Sequence, residues 1–263
     1  MAFVLGLSGA LGLFAALMLA GSAACRRRPD RVRFFRKSIH AAMGLASLTF
    51  PSLAPATWQV LVLSTAFIGA LIVFRIPQLR RRGFLNVLSN PAGHPDGEFW
   101  FVAGVASALL IGRTDPFAYP AAILTLGIAD PAAAGIGRRW GRCRVPGHPR
   151  SLEGSAAFVV AALVSLGLAT LWATPPAPAH LLAIALAAAC VEWVAPFGTD
   201  NLLLPLTVVL LARNGASPHL AWTVVAILAV IVLARATVGI ATHPRQPTGA
   251  KDQDRGGGPG ASL

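Results

Sequence analysis

Residues 116–142 read PFAYPAAILTLGIADPAAAGIGRRWGR: an apolar run, one acid at Asp130, and a closing basic turn. Residues 116–137 are long enough to cross a bilayer as a helix, which takes roughly 20 mostly apolar residues. An ionisable group in such a segment is costly and marks a functional site by default. Asp130 stands seven residues before Gly137, roughly 10 Å of helix from the end of the span.

The rest of the chain fits that reading. Hydrophobic residues make up 55% of it and charged residues 12%, where a soluble domain carries roughly 25% charged. Mean hydropathy is +0.65. The expected fold is all-α: a polytopic integral membrane helix bundle with about nine transmembrane spans. The candidate segments are 2–24, 38–54, 57–75, 98–113, 116–137, 154–174, 179–196, 201–213 and 217–240. The second is broken by Pro51 and Pro55, and the eighth contains Pro205. No internal repeat is visible. The tail, 241–263, is rich in Gly, Pro and charge, the composition of a disordered segment.

Net charge is +12, with 22 Lys and Arg against 10 Asp and Glu. The basic residues lie between apolar segments, as in cytoplasmic loops of membrane proteins, so no nucleic-acid partner is expected. With the N-terminus outside and nine alternating spans, the loops at 25–37, 75–97 and 138–153, Arg235 and the tail all fall inside. Arg26, Arg27, Arg28, Arg31, Arg33, Arg36 and Lys37 lie in the first loop. Arg75, Arg80, Arg81 and Arg82 lie in the second, and Arg138, Arg139, Arg142, Arg144 and Arg150 in the third. Only Arg113 and Arg213 remain outside. Eight or ten spans would spoil this bias. The C-terminus is then cytoplasmic. Lys is rare, and Ala, Gly and Pro are abundant, which suggests a GC-rich bacterial gene and a bacterial plasma membrane.

The N-terminal run resembles a signal peptide but has no basic residue before it, so an uncleaved first span is expected. Cys25, Cys143 and Cys190 are far apart and suggest neither disulfides nor a zinc site. The histidines at 94, 148, 180, 219 and 243 have no metal spacing, and the six Trp mostly sit near span ends, as in an aromatic belt.

The acids gather on the inner side in this topology: Glu98, Asp130, Glu153, Glu192 and Asp200. Phosphoryl transfer needs phosphate charge neutralised, cationic donors and close backbone approach. Carboxylates are the usual magnesium ligands, and Asp130, Glu192 and Asp200 are candidates. Gly135 and Gly137 allow backbone near a phosphate. Arg138, Arg139 and Arg150 are fork-shaped phosphate binders. No Gly-x-x-x-x-Gly-Lys-Ser/Thr loop is present, which excludes a P-loop enzyme. Structural readings stand beside these. Asp130 would pair with a neighbouring helix, the glycines would pack helices, and Ser151 and Glu153 would cap the sixth helix.

Four stretches together resemble the CTP-dependent lipid kinase family that includes dolichol kinase, phytol kinase and the fungal-type diacylglycerol kinase. They are Arg36-Lys37-Ser38-Ile39-His40 with Gly44; Asp130 followed by Gly135-Ile136-Gly137-Arg138-Arg139-Trp140-Gly141; Arg150-Ser151-Leu152-Glu153-Gly154-Ser155; and Glu192 followed by Asp200-Asn201 and Pro205. Order and spacing fit over roughly 34–210. Arg150 stands where the family usually has Lys, and Ala129 where Gly is common. The resemblance implies a kinase domain at 34–240, with 1–33 an additional span and basic loop. It implies CTP as phosphoryl donor, magnesium, and a membrane lipid alcohol (phytol, a polyprenol or dolichol, or diacylglycerol) as acceptor. Asp130, Lys37 and Arg36 would be catalytic. Gly135, Gly137, Arg138, Arg139, Arg150, Ser151, Glu153, Asn201 and His40 would bind nucleotide or phosphate. Asp130, Glu192 and Asp200 would hold the metal. The rival expectations are a CTP-using phospholipid cytidylyltransferase, whose C-terminal acidic and basic block is missing here, and a non-catalytic membrane protein or transporter. Neither the lipid nor the oligomeric state is legible in the sequence.

Overall fold

A computed structural model describes residues 1–76, 96–145, 148, 150–174, 176–196, 198–213 and 217–242, the last five by backbone alone. Arg80, Arg81, Arg82, His94 and the 243–263 tail, expected to be basic loop and disordered tail, lie outside the described residues. The described residues are all-helical. They form α1 (Ala2–Arg27), a 3-10 turn (Pro29–Arg31), α2 (Val32–Ser47), α3 (Phe50–Leu53), α4 (Thr57–Arg75), α5 (Gly97–Gly112) and α6 (Ala118–Leu124). A π-helical turn (Thr125–Ala129) leads into α7 (Asp130–Trp140), followed by α8 (Leu152–Ala169), α9 (Pro178–Val194), α10 (Asp200–Ala212) and α11 (Pro218–Thr242). No strand occurs among them beyond one isolated bridge, Arg144 to Ser151.

Every apolar segment expected to be a span contains helix. Among the described residues, five helices are long and apolar enough to cross a membrane: α1, most of α4, the continuous run Ala118–Trp140, α8 and most of α11. The other segments are shorter. The 38–54 segment is divided between α2 and α3, and α5, α9 and α10 have 16, 17 and 13 residues. Seventeen residues rise about 25 Å, less than the roughly 30 Å of a hydrocarbon core.

Burial runs from centre to edge. Within an apolar 18-residue window, 61% of the residues of the Ala118–Trp140 run are buried, against 11% in α1 and 6% in α11. Outer helices present large apolar side chains, such as Leu5, Val230 and Leu233, each more than 60% exposed. Surfaces of that kind suit lipid rather than water. Alanines of α9 at 183, 185, 187, 188 and 189 are buried, allowing its neighbours to approach closely.

Side-chain bonds sort the helix ends into two opposed rims. At one, Arg75 pairs with Asp96 and Glu98, and Arg235 donates to the Val194 carbonyl. At the other, Arg113 donates to Thr57 Oγ1 and His180 Nε2 meets the Leu211 carbonyl. Asp115 Oδ1 accepts from the backbone N–H groups of Phe117 and Ala118, satisfying donors that a helix start leaves open.

The π turn is where the central helix departs from regular geometry, immediately before Asp130. Pro131 has no N–H for the Gly127 carbonyl, and its ring crowds the preceding turn. Ser165 Oγ donates to the Leu124 carbonyl at 3.2 Å, partnering backbone at the start of that turn. Gly127 in the turn lies against Gly44 of α2, and a Cβ at Gly44 would sit 3.1 Å from the Gly127 Cα. This glycine-on-glycine contact brings α2 to the level of Asp130. Gly44→Leu is expected to force α2 away and cost about 1–3 kcal/mol, with Gly44→Ala much milder. Thermal unfolding in detergent reads the difference.

Candidate functional site

Two clusters of opposite charges meet where α2, α7, α9 and α10 approach one another. In the first, Lys37 on α2 donates to Asp130 Oδ2 in a short charge-assisted bond. His40, one turn further along α2, places Nε2 3.9 Å from the same oxygen. That nitrogen is buried and has no hydrogen-bond partner among the described residues. The His40 ring rests edge-on against Phe101 of α5, with centroids 4.3 Å apart. Asp130 itself is 5% exposed. Helical spacing explains the pairing: residues 37 and 40 share one face of α2, and the Gly44–Gly127 contact turns that face to Asp130.

In the second cluster Arg150 bridges two acids. Its Nε lies 3.3 Å from Glu192 Oε1 and its Nη2 3.0 Å from Asp200 Oδ2. The other oxygen of Glu192, Oε2, is buried without a partner among the described residues. The two clusters are within electrostatic range of each other. Arg150 acts on Asp130, and Asp130 acts on both Glu192 and Asp200.

Several of the remaining residues singled out in the sequence have visible structural work. Ser151 is the N-cap of α8, accepting from the Gly154 N–H at 3.2 Å. Glu153 Oε1 accepts from the backbone N–H groups of Arg142 and Cys143, both at 2.9 Å, and holds that stretch of backbone at the start of α8. Gly137 and Gly154 lie face to face, a Cβ on Gly154 coming 3.2 Å from the Gly137 Cα, so Gly137 packs helices. Gly135 faces open space. Asn201 Nδ2 donates to the Gly97 carbonyl at 2.9 Å, tying α10 to α5. Arg138 and Arg139 are on the last turn of α7, with Arg139 over the Trp140 ring. They stand about 12 Å along the helix from Asp130 and are not drawn into either cluster. Arg36 faces the same cavity as Lys37, His40 and Glu98. The three cysteines are free.

One further support carries no signal in the sequence. His148 stacks flat on Trp193, centroids 4.0 Å apart and planes within 7°. Its Nε2 meets the Trp193 carbonyl at 3.2 Å, and its Nδ1 accepts from the Arg150 N–H. Trp193 Nε1 donates to Ser155 Oγ. The stack therefore holds Arg150 beside Glu192, the neighbour of Trp193. Burial lowers the His148 pKa, as do Arg150 and Arg235, against a backbone hydrogen bond that raises it, so the ring is neutral at pH 7. The contact joins a loop to a distant helix, and no local pattern marks either partner.

No group of three or more His, Cys, Asp and Glu side chains is arranged to hold a metal by itself among the described residues. Asp130 is turned to Lys37, while Glu192 and Asp200 share Arg150. Comparison with protein-family models, with curated proteins and with solved structures finds no match to this chain.

Proposed function

We propose that this protein is a lipid-alcohol kinase, taking its phosphoryl group from CTP at the cytoplasmic face of a membrane that it crosses about nine times. Sequence supports the reaction class through the four stretches that resemble the CTP-dependent lipid kinases. Geometry supports it through one observation above the others. Asp130 and the unpartnered His40 Nε2 face each other across 3.9 Å inside an apolar bundle. An oxygen at about 2.8 Å fits within hydrogen-bond reach of both. A lipid hydroxyl there would donate to the Asp130 carboxylate and sit beside His40.

In the reaction, the alcohol oxygen bonds to the terminal phosphorus of the nucleotide. The bond from that phosphorus to its bridging oxygen breaks, and the nucleoside diphosphate leaves. Asp130 takes the hydroxyl proton, as a positioned general base. Lys37 holds the carboxylate in place, and Arg36, next to it on α2, is the cation offered to phosphate. Water is excluded by the surrounding apolar helices, which strengthens each of these interactions.

Glu192 and Asp200 offer hard oxygen donors of the kind magnesium takes, and Glu192 Oε2 has no other partner among the described residues. Magnesium commonly uses one or two carboxylates and fills its shell with phosphate oxygens and water. Those two residues fit that habit, with Arg150 turning to phosphate. Bound there, the ion would neutralise phosphate charge.

Purified protein in detergent, given CTP labelled in the γ-phosphate with phytol, farnesol, undecaprenol or diacylglycerol, tests the reading. Label is expected in a lipid product. A cytidylylated lipid would reassign the chain to nucleotidyl transfer. No product with CTP or any other nucleoside triphosphate would overturn catalysis.

A further inference from the structure

One cavity of about 100 Å³ lies beside the Lys37–His40 end of α2, walled by α1, α2, α4 and α5 with Phe50 at its far end. It follows α2 from Arg36 to Ser47 and α5 from Glu98 to Leu109. Each stretch is eleven residues of rise, about 16 Å. One end is polar, where Arg36, Lys37, His40 and Glu98 converge. Along the rest the lining is almost wholly apolar, including Phe14, Met18, Met43, Phe67, Val105 and Leu109. The unpartnered His40 Nε2 belongs to a residue at the polar end.

We propose that this slot holds the hydrocarbon of a single-chain lipid alcohol, with α1 as its movable side wall. Three observations carry the assignment. The first is shape. The lining follows α2 and α5 for about 16 Å, and about 100 Å³ over that length leaves room for no more than one hydrocarbon chain abreast, where drug-sized sites run to roughly 300–1,000 Å³. The second is polarity. An alcohol is the smallest head group that satisfies both a buried imidazole nitrogen and a carboxylate; His40 and Lys37 line the slot's polar end, and both adjoin Asp130. The third is the wall. Phe14 and Met18 are among the few deeply buried residues of α1, and Phe14 meets Phe67 and Phe74 edge-on. Otherwise α1 is mostly exposed, and it packs against α2, α3 and α4. A helix held over so little area is the part of the wall through which a chain would enter from the bilayer. The span outside the family resemblance thereby becomes part of the acceptor site.

The assignment depends on the kinase reading only for the fate of the hydroxyl, so the test reads binding. Protein in nanodiscs is irradiated with a long-chain primary alcohol carrying a diazirine, and labelled peptides are mapped. Label is expected on α1, α4 and α5 at the slot, competed by unlabelled phytol and not by diacylglycerol. Met18→Trp should lower slot labelling about tenfold, the scale on which an apolar pocket discriminates added bulk. Phe14→Ala, which adds space, should keep or raise labelling, and a native-like thermal midpoint of Met18→Trp in the same nanodiscs separates a filled slot from an unfolded chain. Label spread over the outer faces of α11 and α8, or equal competition by diacylglycerol, would overturn the slot. Slot labelling without phosphorylation by any nucleotide would uphold the slot and overturn the kinase instead.

Discussion

Asp130→Asn is expected to lower lipid phosphorylation by roughly 10²–10⁴-fold, the usual contribution of a positioned acid or base. The variant keeps the shape of the side chain and loses both proton acceptance and charge. It also leaves the Lys37 ammonium without its counter-charge in a partly buried position. Breaking one side of a buried ion pair costs about 3–5 kcal/mol, so loss of activity and loss of fold must be separated. The double variant Lys37→Met, Asp130→Asn removes both charges. Its thermal stability in detergent should return most of the way to that of the native chain while activity stays absent. Recovery of phosphorylation in the double variant would show that Asp130 serves only to neutralise Lys37. Full activity in Asp130→Asn would remove it from the chemistry altogether.

Arg150→Met should lower stability on the same scale. It strips the shared partner from Glu192 and Asp200, leaving two acids close together between α9 and α10. The expected loss is again about 3–5 kcal/mol, read as a lower midpoint in chemical or thermal unfolding. Adding Glu192→Gln should restore a large part of it, because the repulsion between the two acids disappears. Arg150→Lys should fall between. An ammonium is a compact point charge and cannot span both acids as the guanidinium fork does. If Arg150→Met unfolds at the native midpoint, the bridge carries no stability and Arg150 is free to serve as a phosphate ligand.

Part of the candidate site is legible in the amino-acid sequence. Asp130 stands out because a single acid in a long apolar run needs a reason, and the structure pairs it with Lys37 and places His40 beside it. Arg150, Glu192 and Asp200 each attract notice as charges, yet nothing in their spacing says that one arginine lies between the two acids. Ser151 and Glu153 read as phosphate ligands through the resemblance and as caps through their position, and their contacts are those of a cap and a loop brace. Arg138 and Arg139 read as phosphate binders alongside Arg150, and they stand away from both clusters. The His148–Trp193 stack has no signal, since an aromatic near a span end resembles any membrane-belt residue.

Composition and hydropathy suffice for the helical class, the positions of the apolar segments and the clustering of basic residues between them. Each is a property of a window of chain, and it survives without knowledge of neighbours. Which charges meet, where the π turn lies and which helices wall the slot are settled only by packing. Helices such as α5 and α9 are apolar on nearly every side and carry no stripe that says which face is turned inward. Their rotation and partners depend on close contacts between small residues, of the kind seen where Gly44 meets Gly127 and Gly137 meets Gly154. Such contacts join residues far apart in the chain, and their physical basis is shape, which hydropathy does not record.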